Sequence, residues 1–210
     1  MSVFDKTGLE SFVRGLLGAI PDALILSTGG TFHIMEKMLG GSASASLRQV
    51  SAYTGQPEMQ GGLVKTLDFK IYLGLLAETY NPDHQRDLAR TDATAIDMVV
   101  VNLYPFEQAS AAADATLEDA RANIDIGGPC MIRAAAKNFH RVAAVTDPGE
   151  YPGVLQELAS TDGALCLETR FRLARAAFRR IARYDAAITS YLDAADPAAG
   201  FTAYTVNKGS

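Results

Sequence analysis

An α/β fold with a mostly parallel central sheet is predicted by three features of this sequence. Short apolar runs, ALILS at 23–27, MVVV at 98–101 and RVAAV at 141–145, alternate with amphipathic segments. Met98–Val101 is apolar at every position, the pattern of a parallel strand covered by helices on both faces. Glycines gather in DKTG (5–8), STGGT (27–31) and NIDIGG (123–128), near the expected strand-to-helix joints.

Taken in order, Thr7 precedes Glu10 as a capping box precedes its helix, and Leu9, Phe12, Val13, Leu16 and Leu17 give that helix an apolar face. Pro21 ends the pattern; ALILS reads as a buried strand and TFHIMEKML as the next helix. Gly40–Gln49, rich in Gly and Ser, reads as a surface connection inside one domain. Ile71–Ala77 is a strand or a buried helical piece, since periodicity does not separate the two at this length. The NPDHQRDLAR stretch is helical, Met98–Val101 is the clearest strand, and Thr116 with Asp119 forms a second capping box. A helix follows IDIGGP, RVAAV is a strand, and Tyr151–Ala159 is a helix. In the final helical segment Phe171, Ala174, Phe178 and Ile181 make a core-facing stripe, beside a basic stripe of Arg172, Arg175, Arg179 and Arg183 that is a solvated face, a subunit surface or a ligand surface. Residues 193–210, with Pro197, Gly200 and Gly209, read as a tail to a domain spanning 1–192.

With 210 residues, 48% hydrophobic, the chain supports one full core and no second large catalytic domain. A net charge of −5, with basic residues dispersed among acids, argues against nucleic acid while leaving a small anion bound in a local positive pocket possible. No stretch reaches the ~20 apolar residues that span a bilayer, and no signal peptide precedes the first helix, so a soluble cytoplasmic protein is expected. Cys130 and Cys166 read as two buried, unpaired small side chains, and His33, His84 and His140 form no metal-ligand pattern.

The glycine joints suit phosphate binding through helix-start amides, with Lys6, Thr7, Ser27 and Thr28 as added donors. Lys65, Tyr104, Asp125 and Lys137 carry the residue types of proton transfer and oxyanion stabilisation, although their separations leave proximity open.

Together the segments SVFDKTG, STGGT, VKTL, VVVNLYPFE, NIDIGGP, RAAAKN, LETRFRLA and YDAAI resemble, in order from Ser2 to Leu192, the IMP cyclohydrolase portion of the bifunctional purine-biosynthesis family that also carries AICAR transformylase. The resemblance implies a methylglyoxal-synthase-like, three-layer α/β fold and commonly a homodimer. It implies closure of the second purine ring of 5-formamidoimidazole-4-carboxamide ribotide to IMP and water, with no cofactor and no metal, the formylated substrate coming from a separate transformylase. It maps Lys65, Tyr104, Asp125 and Lys137 onto the reaction region. It maps Lys6, Thr7, Gly8, Ser27, Thr28, Gly29, Gly30, Thr31, Thr66, Asn102, Ile126, Gly127 and Gly128 onto substrate binding. In this division Lys65 polarises the carboxamide, Asp125 assists proton removal, and Lys137, Tyr104 and the Ile126 and Gly127 amides serve positioning and the formyl oxygen.

The chain departs from the family where Phe4 replaces Ser in SVSDKTG, where Asp68 and Phe69 replace His and Pro in VKTLHPK, and where Tyr72 replaces a further His. It also begins almost at SVFDKTG, with little of the expected preceding strand. These departures motivate the alternative of a noncatalytic purine-nucleotide-binding regulatory domain. Methylglyoxal synthase shares only the fold and an anion-binding mode, and fold alone does not assign chemistry.

Overall fold

The computed structural model describes residues 1–57, 65–111 and 115–196. Five strands are described: β1 (Ser2–Val3), β2 (Ile25–Ser27), β3 (Leu47–Gln49), β4 (Met98–Asn102) and β5 (Ala143–Val145). All pairings are parallel, in the orders β1-β4-β5 and β2-β3, with Ser2 opposite Val101, Met98 opposite Ala143 and Ile25 opposite Leu47. The Met1 ammonium donates to Leu26 O (2.5 Å) and Ser27 Oγ donates to Met1 O (2.8 Å), which holds the edges of β1 and β2 together.

The helices are α1 (Leu9–Ala19), α2 (Gly29–Leu39), α3 (Ala43–Ser46), α4 (Val50–Thr54), α5 (Phe69–Leu76), α6 (Pro82–Arg90), α7 (Phe106–Ser110), α8 (Leu117–Ala122), α9 (Gly127–Lys137), α10 (Tyr151–Ser160) and α11 (Leu167–Ala194). Alternation along the central strands divides the core in two. Val100, Ala143 and Val145 pack with Leu9, Phe12, Met35 and Val154 from α1, α2 and α10. Val99, Val101 and Ala144 face the other way, onto Leu75, Ile132, Ala135, Ala177 and Ile181 from α5, α9 and α11. The result is three layers, helices on both faces of parallel strands, as the sequence predicts.

Asp68 caps α5 by accepting from Lys70 N (2.8 Å), which settles the 71–77 ambiguity as a helix. The Thr116–Asp119 capping box forms as expected on α8. Arg141 locks the layers: its side chain, 14% exposed, donates to the carbonyls of Gly74 (2.5 Å), Ala77 (3.1 Å) and Ile96 (3.1 Å) and to the Asp97 carboxylate (2.9 Å).

Four expectations are corrected. Thr7 does not cap α1, because Gly8, at φ +68°, occupies the cap position without a side-chain bond. The presumed surface connection at 40–49 contains β3, whose Leu47 is buried beside β2. The buried face of α11 is Leu173, Ala174, Ala177 and Ile181, whereas Phe171 and Phe178 stay 46% and 42% exposed. Those rings lie beside the Arg175 and Arg133 guanidiniums, each 6.0 Å from a ring centre, so alanines alone admit the close approach of α9. Cys130 is half-buried and Cys166 is exposed, its thiol accepting from Thr169 N (3.4 Å) at the start of α11. Residues 197–210 of the expected tail lie outside the described residues, and among the described residues no helix is long and apolar enough to cross a membrane.

Candidate functional site

Open α/β sheets present ligand-binding loops at the carboxyl ends of their strands, and the three glycine joints meet there. Asn102, buried at the end of β4, shapes the first loop: its Oδ1 accepts from Phe4 N (2.6 Å) and Asp5 N (2.8 Å), and its Nδ2 donates to Asp5 O (3.0 Å). Asp5 Oδ1 in turn accepts from Thr7 N (2.8 Å), and hydrogen bonds from Thr7, side chain first and then backbone, hold the Asp5 carboxyl below its ordinary range. Gly8 is exposed at the end of this loop. Lys6 Nζ folds back to donate to Val3 O and to Phe4 O (3.0 Å), and partial burial lowers its pKa.

The second joint divides by burial. Ser27 is buried and spent on Met1 O, while Thr31 Oγ1 donates to Val3 O (3.1 Å) and accepts from Val3 N (3.2 Å), welding α2 to β1. Both are thereby structural in this conformation. Thr28 and Gly29 are half-buried and Gly30 is exposed, so these keep access to a ligand.

Lys65 and Thr66 connect this joint to the third. A side chain at Gly29, whose φ is +50°, would meet Lys65 Nζ at 3.6 Å; one at Gly127 would meet Thr66 Oγ1 at 2.4 Å. The ammonium therefore lies against the start of α2 while the adjacent threonine lies against the start of α9. Asp125 sits in that same turn, its Oδ1 accepting from Gly128 N (3.0 Å) and its own N–H donating to Tyr184 OH (2.7 Å) from α11. The Ile126 side chain is largely exposed at the turn. Tyr104, 40% exposed just beyond β4, packs edge-on against Phe4, 48% exposed, at 4.3 Å between ring centres.

Lys65, Thr66, Asp125 and the glycines are thus brought to one end of the molecule, with Tyr104 at its rim. Lys137 is not. It is exposed at the last turn of α9, ten residues beyond Gly127, about 15 Å along the axis at 1.5 Å per residue. A lysine reaching back along its own helix does not close that gap.

Three contributors escaped sequence reasoning. Tyr184 fixes the Asp125 backbone, yet in YDAAI it carried no assigned role. Phe4 supplies the ring on which Tyr104 rests. Tyr72, noted only as a departure, has a buried hydroxyl that makes no hydrogen bond of ordinary geometry among the described residues; burial first, then the charge and thiol contact of the neighbouring Cys130 and the charge of Asp125, push its pKa up. Asp68 and Phe69, the other departures, begin α5, with Asp68 as its cap and the Phe69 ring exposed.

The family model described as MGS-like domain matches residues 9–130, and that described as AICARFT/IMPCHase bienzyme matches residues 135–209. The chain is similar to proteins named bifunctional purine biosynthesis protein PurH. It is 47% identical to that of Acidithiobacillus ferrooxidans over 94% of this chain and 36% of the relative. The corresponding values are 48%, 91% and 36% for Chlorobium phaeobacteroides, and 45%, 98% and 38% for Magnetococcus marinus. The chain therefore spans little more than a third of the length of these curated relatives. A solved structure, the crystal structure of ForH, superimposes with a TM-score of 0.75 at 31% identity, over 91% of this chain and 96% of that one.

Proposed function

The chain belongs to the MGS-like domain family, and from that premise we propose that it is an IMP cyclohydrolase, closing the second ring of 5-formamidoimidazole-4-carboxamide ribotide. Relatives named for purine biosynthesis, together with the bienzyme match, support a role in that pathway. The observation that carries the specific reaction is the Lys65–Thr66 link, because it joins the phosphate-suited start of α2 to the Asp125 turn at the start of α9.

In this reading the ribotide phosphate lies at the backbone of Thr28, Gly29 and Gly30, with Lys6 and Thr7 opposite once Lys6 releases its own loop carbonyls. Phosphate bound there orients the imidazole end, and its binding energy aids catalysis insofar as it holds the reactive conformer. The carboxamide nitrogen attacks the formyl carbon, forming the C–N bond of a cyclic carbinolamine. Asp125 takes a proton from that nitrogen, and Lys65 polarises the carboxamide. The former formyl oxygen, stabilised by the Ile126 and Gly127 amides and Tyr104, takes up protons and leaves as water. The carboxamide nitrogen thus loses one proton and the formamido nitrogen another, while the oxygen gains two and departs as water, so the reaction needs no oxidant or reductant. Lys137, a helix length away, stands outside this division of labour.

Mixing the protein with the formylated ribotide and following IMP formation tests the reading. Enzyme-dependent IMP, lost in a folded Asp125→Asn variant, is expected. Tight ribotide binding without turnover would instead favour the regulatory reading.

A further inference from the structure

The arginine stripe takes no part in the proposed reaction, and the structure sets part of it along a second cleft. This cleft, about 900 Å3, opens beyond the carboxyl ends of β4 and β5, between the loops at 103–107 and 146–150 and the flank of α11. That volume lies within the ~300–1,000 Å3 typical of small-molecule pockets. Tyr104 and Tyr184 border it, so it backs onto the Asp125 turn without including the Lys6 and Gly29 loops.

Its charges are unevenly spent. Arg180 pairs with Asp147, and Arg172 pairs with Glu150 at 2.5 Å, which neutralises the acids of the β5 loop. Arg179 and Arg183 line the cleft and make no ion pair or hydrogen bond among the described residues, and Glu107 is the remaining acid on its rim. One helical turn apart, the two guanidiniums share a face and repel each other, a cost that a bound anion removes. Their planar forks suit the oxygens of a phosphate. Aromatic surface adjoins them: Tyr184 meets Phe106 edge-on at 6.4 Å, and the Tyr104 ring is open to solvent.

We propose that this cleft binds a phosphorylated aromatic anion of nucleotide size, with its phosphate on Arg179 and Arg183 and its ring against the tyrosine-lined wall. The inference does not rest on the reaction assigned to the first site, although the two sites share Tyr104 as a common wall. A chain that forms no IMP and still binds such a ligand through Arg179 and Arg183 leaves this inference standing.

Calorimetric titration of the full chain with adenosine 5′-monophosphate tests it, in the unaltered protein, in Arg179→Glu/Arg183→Glu and in Lys6→Ala. The double variant is expected to weaken AMP at this cleft about tenfold or more, given the loss of two guanidinium contacts, while Lys6→Ala retains that binding. Because both arginines are exposed, the melting temperature stays unchanged, and added NaCl weakens the interaction. Undiminished AMP binding in the double variant, loss of all AMP binding in Lys6→Ala, or no binding at millimolar AMP overturns the proposal. Inorganic phosphate binding as tightly as AMP overturns the aromatic part. A change of oligomeric state in the double variant, with AMP binding intact, assigns the arginines to a subunit contact instead and likewise overturns it.

Discussion

Replacing Gly128 by alanine tests whether the position of Asp125 governs turnover. A methyl group on Gly128 would stand 2.3 Å from Asp125 Oδ2 and 2.8 Å from Leu103 Cδ2. Leu103 is buried, so the carboxylate must yield, by about 1 Å before ordinary contact is restored. That shift breaks the 3.0 Å bond from Gly128 N to Oδ1. A hydrogen bond to a charged group contributes about 1.5–3 kcal/mol, and the helix preference of alanine over glycine returns about 1 kcal/mol. The net loss of stability is about 1 kcal/mol, a fall in Tm of about 2–4 °C for a domain of this size. Turnover suffers more: misplacing a reacting group by 1 Å costs about a hundredfold, or about 2.7 kcal/mol in the barrier. Steady-state IMP formation and a thermal melt measure the two effects, with Gly18→Ala on the exposed side of α1 as the control, since nothing among the described residues lies within 4 Å of a side chain there. A Gly128→Ala enzyme that melts near the unaltered protein and keeps kcat within twofold would refute Asp125 as the base.

Other outcomes follow from the same geometry. Tyr72→Phe removes a buried hydroxyl whose neighbour among the described residues is only the weakly bonding Cys130 thiol, and should raise Tm by a few degrees, because leaving such a group poorly satisfied costs about 1–3 kcal/mol; a lower Tm in calorimetry contradicts this. Arg141→Met strips several carbonyls of their donor and should cost about 3 kcal/mol in urea unfolding, whereas a loss below about 1 kcal/mol makes the clamp incidental. Phe4→Ala removes an edge-on ring contact of about 0.5–1.5 kcal/mol and should raise the ribotide KM by loosening Tyr104; unchanged KM and Tm dismiss the pairing. Burial, then the charges of Asp5 and Asp147, push the Tyr151 hydroxyl up to about 12, against about 10 when unfolded. A raised folded pKa gives stability that is complete below pH 10 and lost as pH rises from 10 to about 12, so urea midpoints should fall across that window. Midpoints that stay level in Tyr151→Phe but fall in the unaltered protein assign the effect.

Local signals were legible wherever one segment held the whole cause. The unbroken apolar run of β4 needed only its own residues to declare cover on both faces, and Thr116 with Asp119 closed a cap within one turn. β3 was hidden because three residues with one buried side chain carry no period. The face of α11 was misread because large rings outweigh alanines in any apolar stripe, whereas close packing against Ala134–Ala136 of α9 selects the small residues. For the site, ordered motifs named Lys65 and Asp125, but their convergence depends on contacts among separate loops. The separation of Lys137 was available all along: twelve residues, most of them helical, put it at the wrong end of the element that begins beside Asp125. Donors lost to internal duty, Ser27 and Thr31, were not distinguishable from exposed ones in a string of letters.

The hydroxyl of Tyr184 that receives the Asp125 N–H belongs to the same face of α11 as Ala177, two turns earlier, which is packed in the α9 interface. That helix is consequently a lever with its fulcrum in the core. Enlarging Ala177 pries α11 outward, and the displacement arrives two turns later at Asp125, the carboxylate proposed as the base. A core substitution that never meets ligand then registers as lost turnover, making the spacing between two helices a determinant of rate as well as of stability.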